Sequence, residues 1–116
     1  MKKWMLPLAL VAAFVAGRAA APQGVTRSVK LENARVRVTQ VDYLPGQPRE
    51  KSIRPSDQVI VFLDDSRYER IDPDTGAKEI RTRKSGEVIW HNKGEVAPVL
   101  TNTDKKTYRE LVIELK

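Results

Sequence analysis

The chain lacks cysteine altogether and has one histidine, His91, in 116 residues. No disulfide can form, and no lipid can be attached to an N-terminal cysteine. A metal site of three histidines cannot be assembled from one imidazole. Glycine-rich phosphate loops are missing as well, since Gly46, Gly76, Gly86 and Gly94 each read as turn glycines. Ser52, Ser56 and Ser66 have no base near them in sequence, so nothing supports a nucleophilic hydrolase. Lysine and arginine are interspersed with acidic residues and form no patch interleaved with aromatics, so nucleic acid is not an expected partner. No segment carries a helical period of useful length, and there is no internal repeat.

What is present begins with a leader. Lys2 and Lys3 precede an apolar run over 4–17, followed by Arg18 and the small residues Ala19, Ala20 and Ala21. A basic head, a short apolar stretch and small residues describe a secretory signal peptide over 1–20, cut between about 17 and 21. Pro22 disfavours cutting after Ala21, and Arg18 disfavours cutting after Ala20. A membrane anchor is the competing reading, but the run falls short of the roughly 20 residues that a spanning helix needs. The expectation is an exported protein, periplasmic or secreted, with no stable membrane anchor once the leader is removed. Losing the leader leaves 18 basic residues against 15 acidic ones, so half of the formal charge of +6 belongs to it. Residues 21–30 read as a flexible lead-in, and 31–116 as one domain.

The domain reads as all-β. The run Gln-Val-Ile-Val-Phe-Leu over 58–63 fits a strand covered on both faces, and is expected to be the central one. From Arg35, Val36 and Val38 alternate with Arg35, Arg37 and Thr39, and then the apolar phase shifts to Val41 and Tyr43. A β-bulge near Gln40 is the expected cause. Pro45, Pro48 and Pro55 exclude a helix between 45 and 56, leaving a polar loop as one wall of a barrel mouth. Asp72-Pro73-Asp74-Thr75-Gly76 joins two charge-rich segments as a hairpin. Val88 and Trp90 share one face of the segment 87–91, with Ile89 and His91 on the other; 97–100 is a short strand. In the last segment, Leu111, Ile113 and Leu115 oppose Glu110 and Glu114. Seven or eight short strands separated by turns argue for a sandwich or barrel.

The order of these pieces resembles a small single-domain cupin, a jelly-roll barrel or double-stranded β-helix, over Leu31 to Lys116. The opening Leu31-Glu32-Asn33-Ala34-Arg35-Val36-Arg37-Val38 resembles a first barrel strand. Pro45-Gly46 resembles the start of the first cupin motif, and Gly86-Glu87-Val88-Ile89-Trp90 with Gly94 and Asn102 resembles the second. The stretch from Tyr108 to Lys116 is similar to the closing strand. Metal-binding cupins place a His-x-His pair and a Glu in the first motif and a third His in the second. Those positions fall here on Ser52, Arg54, Gln58 and Ala97 (or Pro98), and Asn92 replaces the second motif's proline. The resemblance therefore implies the barrel without its metal site, and no cofactor is expected.

Two-residue alternation would point Ser52, Arg54 and Gln58 into such a barrel, with Trp90 from the facing sheet. An arginine among hydrogen-bonding groups suits a small anionic or sugar-like ligand. The bland alternatives are Arg54 in solvent or paired with Asp57 or Glu50, and Trp90 in the core. Some metal-free cupins, the sugar-nucleotide epimerases, use a His–Asp pair as base. His91 would face solvent if Trp90 faces inward, and no oriented partner is recognisable for it. The expectation is a non-catalytic binding protein, with a metal-free isomerase or epimerase as the alternative and a homodimer as an expected assembly.

Overall fold

The computed structural model describes residues 25–116. The leader read over 1–20 and the first part of the lead-in lie outside the described residues. Among the described residues there are eleven strands and no helix: β1 Val25–Glu32, β2 Val36–Tyr43, β3 Pro48–Arg49, β4 Ser52–Ile53, β5 Gln58–Phe62, β6 Ser66–Ile71, β7 Lys78–Arg83, β8 Val88–His91, β9 Val96–Ala97, β10 Val99–Asn102 and β11 Tyr108–Leu115.

They form a five-stranded sheet in the order β1-β2-β11-β5-β8 and a four-stranded sheet in the order β3-β10-β6-β7. The short pair β4-β9 lies beside them. The paired strands are antiparallel throughout. Non-consecutive neighbours such as β2-β11 and β11-β5 are the crossovers of a jelly roll. The expected all-β barrel is therefore what the chain forms. The core lies between the sheets and consists of Val25, Val41, Tyr43, Ile60, Phe62, Tyr68 and Tyr108. Tyr43 and Tyr108 stack with ring centroids 4.8 Å apart. Large aromatics supply much of a small core, each burying about 150–250 Å².

The hairpin between β6 and β7 forms as read. Asp72 Oδ1 accepts the N–H groups of Asp74 and Thr75 at 2.8 and 3.0 Å, and Gly76 completes the turn at a φ of 77°. That φ strains any residue with a Cβ, which is why glycine stands there. Arg70 reaches Glu79 across the pair at 2.7 Å.

Several expectations are corrected. Residues 25–27, read as lead-in, open β1, which runs on through 28–32, where the sequence also allows a first short strand, and pairs with β2 from Val25↔Tyr43 onwards. The irregularity lies in β1 between Val29 and Leu31, while β2 pairs with β11 without a break past Gln40. The phase shift along β2 arises because both of its faces carry apolar residues. β11, not β5, is the middle strand of its sheet. The loop before β5 contains the two-residue strands β3 and β4. The strand expected over 97–100 is divided at Pro98 into β9 and β10. Proline removes the donor that a continuous ladder would need.

The alternation along β2 and β11 separates two faces, and the fold decides which of them is inside. Arg37, Thr39, Val41 and Tyr43 face inward on β2, as do Tyr108, Glu110, Val112 and Glu114 on β11. Val36, Val38, Leu111, Ile113 and Leu115 are turned outward.

Candidate functional site

Directly paired residues of an antiparallel ladder share a face. The inner face of the five-stranded sheet therefore resolves into rows. The mouth row runs Glu32–Arg37–Glu114–Gln58–His91. Behind it lie Val29–Thr39–Val112–Ile60–Ile89, then Arg27–Val41–Glu110–Phe62. Val25–Tyr43–Tyr108 forms the base. The first three rows on β1, β2 and β11, Gln58 and Ile60 of β5, and the loop between β3 and β5 line an open cavity of about 460 Å³.

The mouth row is tied to itself. Arg37 donates to Glu32 at 3.1 Å and to Glu114 at 3.4 Å. Two further arginines face the same cavity under different circumstances. Arg54 is fixed by its backbone, whose N–H donates to Glu95 O and whose carbonyl accepts from Gly94 N, both at 2.9 Å. Its Nη1 donates to Gln58 Oε1 at 3.1 Å. Arg49 is buried, donates to the Tyr43 hydroxyl at 3.1 Å and also bonds the Pro98 carbonyl. The Nε of each is buried without a partner, and neither forms an ion pair among the described residues.

One carboxylate shares this depth. Glu110 is buried and accepts from the Tyr43 hydroxyl at 3.3 Å. Burial pushes its carboxyl up to about 7, against the pull of Arg49 and of the Tyr43 bond. Burial also disfavours the charged form of Arg54, and the like charge of Arg49 adds to that. Burial raises the Tyr43 phenol. Counted around the cavity, Arg27, Arg37, Arg49 and Arg54 stand against Glu32, Glu110 and Glu114.

Ser52, Arg54 and Gln58 all line the cavity. Trp90 does not. It sits on the outer face, 49% exposed, with its indole N–H donating to Asn92 Oδ1 at 2.8 Å. His91 takes the inner position instead, because β8 pairs Gln58 with His91 and Val59 with Trp90. Its partner, which sequence reading did not recognise, is Glu95: Nδ1 lies 3.1 Å from Glu95 Oε1. Bonds from the Asn92 backbone and side chain hold the Glu95 carboxyl down at about 2. Against an ionised Glu95, Nδ1 carries the ring proton and Nε2 is the acceptor. Burial pushes the His91 pKa down, Glu95 opposes this, and the charges of Arg54 and Arg49 add to the lowering. His91 lines a separate recess of about 40 Å³ with Arg49, Arg54, Tyr68, Tyr108 and Glu110. That recess has room for about one water molecule.

Arg49, Glu110, Thr39 and Tyr43 were missed from sequence. The available signal was parity: Thr39 and Tyr43 lie an even number of residues apart on β2, as do Tyr108 and Glu110 on β11. A strand presents such residues on one face, and the tyrosine marks that face as interior.

The positions that the resemblance assigns to metal ligands are brought together. Ser52 pairs with Ala97, and Arg54 bonds Gln58 beside them. Together they offer a hydroxyl, a methyl, an amide and a guanidinium. This set does not fit a metal ion, because the guanidinium repels a cation and the remaining donors are weak. Among the described residues, no three His, Cys, Asp or Glu side chains are gathered to share one.

No protein-family model matches the chain, and no curated protein matches it in sequence. Solved structures match its fold. A cupin domain from Bordetella pertussis Tohama I superposes with a TM-score of 0.73 at 20% identity, covering 83% of this chain and 97% of that one. The fold is that of a cupin. A double-stranded β-helix protein from Klebsiella pneumoniae superposes on the cupin barrel at a TM-score of 0.62 and 18% identity, covering 82% and 79% of the two chains. Polyketide cyclase RemF from Streptomyces resistomycificus gives 0.65 at 21% identity, with this chain spanning 66% of its length. At these identities the likeness is one of fold. Enzymes stand among the neighbours, RemF being a cyclase by name, so the cupin barrel alone does not separate binding from catalysis.

Proposed function

We propose that this cupin is an exported, metal-free binding protein that takes a small organic acid or sugar acid into its barrel and does not transform it. The carrying observation is that Arg49 and Arg54 face one cavity with no carboxylate ion-paired to either among the described residues. A guanidinium removed from water loses hydration, and an entering carboxylate replaces it with charge-assisted hydrogen bonds. Ser52, Gln58 and Thr39 add neutral polar groups around the same cavity. The apolar Val29, Val41, Ile60 and Val112 suit the carbon skeleton of the acid. Export rests on the leader read over residues 1–20.

The test is a melting-temperature screen of the purified protein against malonate, citrate, gluconate and glucuronate, with glucose as the uncharged control. A shift with an acid that vanishes in Arg54→Ala supports the reading. No shift with any acid, or an equal shift with glucose, overturns it.

The His91–Glu95 pair favours a second reading, a metal-free enzyme that moves a proton. It ranks second because His91 lines the small recess and not the larger cavity. Exchange of the α-hydrogen of a bound sugar acid into deuterated water, lost in His91→Gln, would establish it.

A further inference from the structure

Five buried side-chain nitrogen and oxygen atoms lack a hydrogen-bond partner among the described residues, and three of them are Arg49 Nε, Arg54 Nε and the Tyr108 hydroxyl. All three side chains line the recess of about 40 Å³ beside His91. They reach it from β3, from the loop before β5 and from β11. Arg49 and Tyr108 are only 9% and 2% exposed. The other nitrogens of Arg49 are engaged, Nη1 with the Tyr43 hydroxyl and Nη2 with the Pro98 carbonyl. Burial raises the Tyr108 phenol, so its oxygen keeps its proton. Each of the three atoms is therefore a donor, and none of them has an acceptor. The two guanidinium groups are also like charges in one small space, without an ion-paired carboxylate among the described residues.

We propose that this recess is a binding site for a single chloride ion, held by Arg49 Nε, Arg54 Nε and the Tyr108 hydroxyl. A water molecule accepts two hydrogen bonds, which leaves one of three donors unmade, and it brings no charge. A halide accepts from all three and offsets the guanidinium pair. Chloride is little larger than a water molecule, whereas carboxylate, phosphate and sulfate have several heavy atoms and exceed the space. Those anions are left to the larger cavity. Ile60, Phe62, Ile89 and Leu100 form the apolar part of the wall. Such a wall suits a weakly hydrated halide and rejects fluoride, whose strong hydration it cannot replace. The titratable groups around the ion are Glu110 and Tyr108 from β11, His91 from β8 and Tyr68 from β6, with Glu95 bonded to His91. A negative charge among them raises the His91 pKa and keeps Glu110 protonated, so the site fills more readily as pH falls.

The test compares the purified protein in sodium chloride and in sodium fluoride, at equal ionic strength and slightly acidic pH. Its readouts are the melting temperature and the nuclear magnetic resonance titration of His91. Chloride should raise the melting temperature with a saturating dependence on its concentration, and raise the His91 pKa; fluoride should do neither. Tyr108→Phe keeps the ring that stacks on Tyr43, so the variant folds. It should weaken chloride by about 10-fold, the effect of one hydrogen bond to a charged group. Arg54→Gln should remove the chloride effect. Equal melting and equal His91 titration in the two salts overturn the proposal. A chloride effect that survives either variant unchanged places the ion elsewhere and overturns it too. If nothing accepts from the hydroxyl, Tyr108→Phe is more stable than the wild type in chloride, and if water does, it is less stable by the same amount in both salts. Either result overturns the proposal. No organic acid is present, so the outcome is independent of the reading of the larger cavity.

Discussion

Arg54 donates from Nη1 to Gln58 Oε1 at 3.1 Å, and that neutral amide is the only side chain the guanidinium bonds among the described residues. A charge held this way is stabilised less than by a carboxylate, and it remains open to a better acceptor. Replacing Arg54 with Ala should therefore weaken binding of the preferred acid in the screen by about 10- to 100-fold. The unliganded melting temperature should barely move, since a partly desolvated cation is lost rather than a stabilising pair. Arg54→Lys should recover only part of the affinity, because an ammonium lacks the planar fork that grips a carboxylate. Isothermal titration calorimetry and melting curves on the three proteins check both statements.

Glu110 makes stability depend on pH in a direction unusual for a carboxylate. Its folded pKa, about 7, lies above the unfolded value, so the native state holds a proton that the unfolded chain has released. Stability from this group is full below about pH 4 and is lost as pH rises towards 7, by about 3 kcal/mol in all. His91 acts oppositely: its lowered pKa means stability is lost as pH falls through the ordinary imidazole range. The difference in urea-unfolding free energy between wild type and Glu110→Gln, taken from pH 5 to pH 8, isolates the carboxyl. A difference that does not change with pH would contradict the assignment.

With one histidine in the chain, imidazole proton resonances report on a single residue. The His91 pKa should lie below its ordinary value and fall further in Glu95→Gln, which removes the partner that raises it. An acid bound at Arg54 should raise it, because that guanidinium's charge is one of the influences holding it down. A titration followed by nuclear magnetic resonance, with and without the ligand, measures all three. A ligand that binds without moving His91 is not at Arg54.

Asn102 is the most deeply buried polar side chain, and its bonds tie three segments together. Nδ2 donates to the carbonyls of Tyr43 and Lys106, each at 2.8 Å, and Oδ1 accepts from Asp104 N at 2.7 Å. Asn102→Ala leaves these backbone groups without partners and should cost about 2–4 kcal/mol. Chemical denaturation of the variant gives the value directly.

Much of the architecture was legible in the sequence. The turn around Asp72–Gly76, the strand at 58–62 and the alternation along β11 follow from local chemistry, and the structure repeats them. The orientation of the strands was not legible. On β2 and β11 both faces alternate cleanly, and the familiar assignment of apolar residues to the inside puts Val36, Val38, Leu111 and Ile113 in the core. The barrel turns these residues outward, since its inner face combines the aromatic core with a cavity lined by both charged and apolar side chains. Period-two patterning distinguishes the two faces but does not say which one turns inward. For the same reason Trp90 and His91 exchanged places. Ser52, Arg54 and Gln58 were found by counting along a motif, whereas Arg49 and Glu110 come from strands whose alignment only the fold supplies.

The stacked pair Tyr43 and Tyr108 stops the barrel at one end. With side chains repeating about every 6.8 Å along one face of a strand, the mouth row stands about 20 Å above that floor. A vessel with a floor and a single rim is filled and emptied through the same opening. An acid of the kind proposed would go in carboxylate first to meet Arg49, leaving a longer tail at the rim or in water. Discrimination falls on the head of the molecule, and compounds that differ only beyond the rim should compete for the same place.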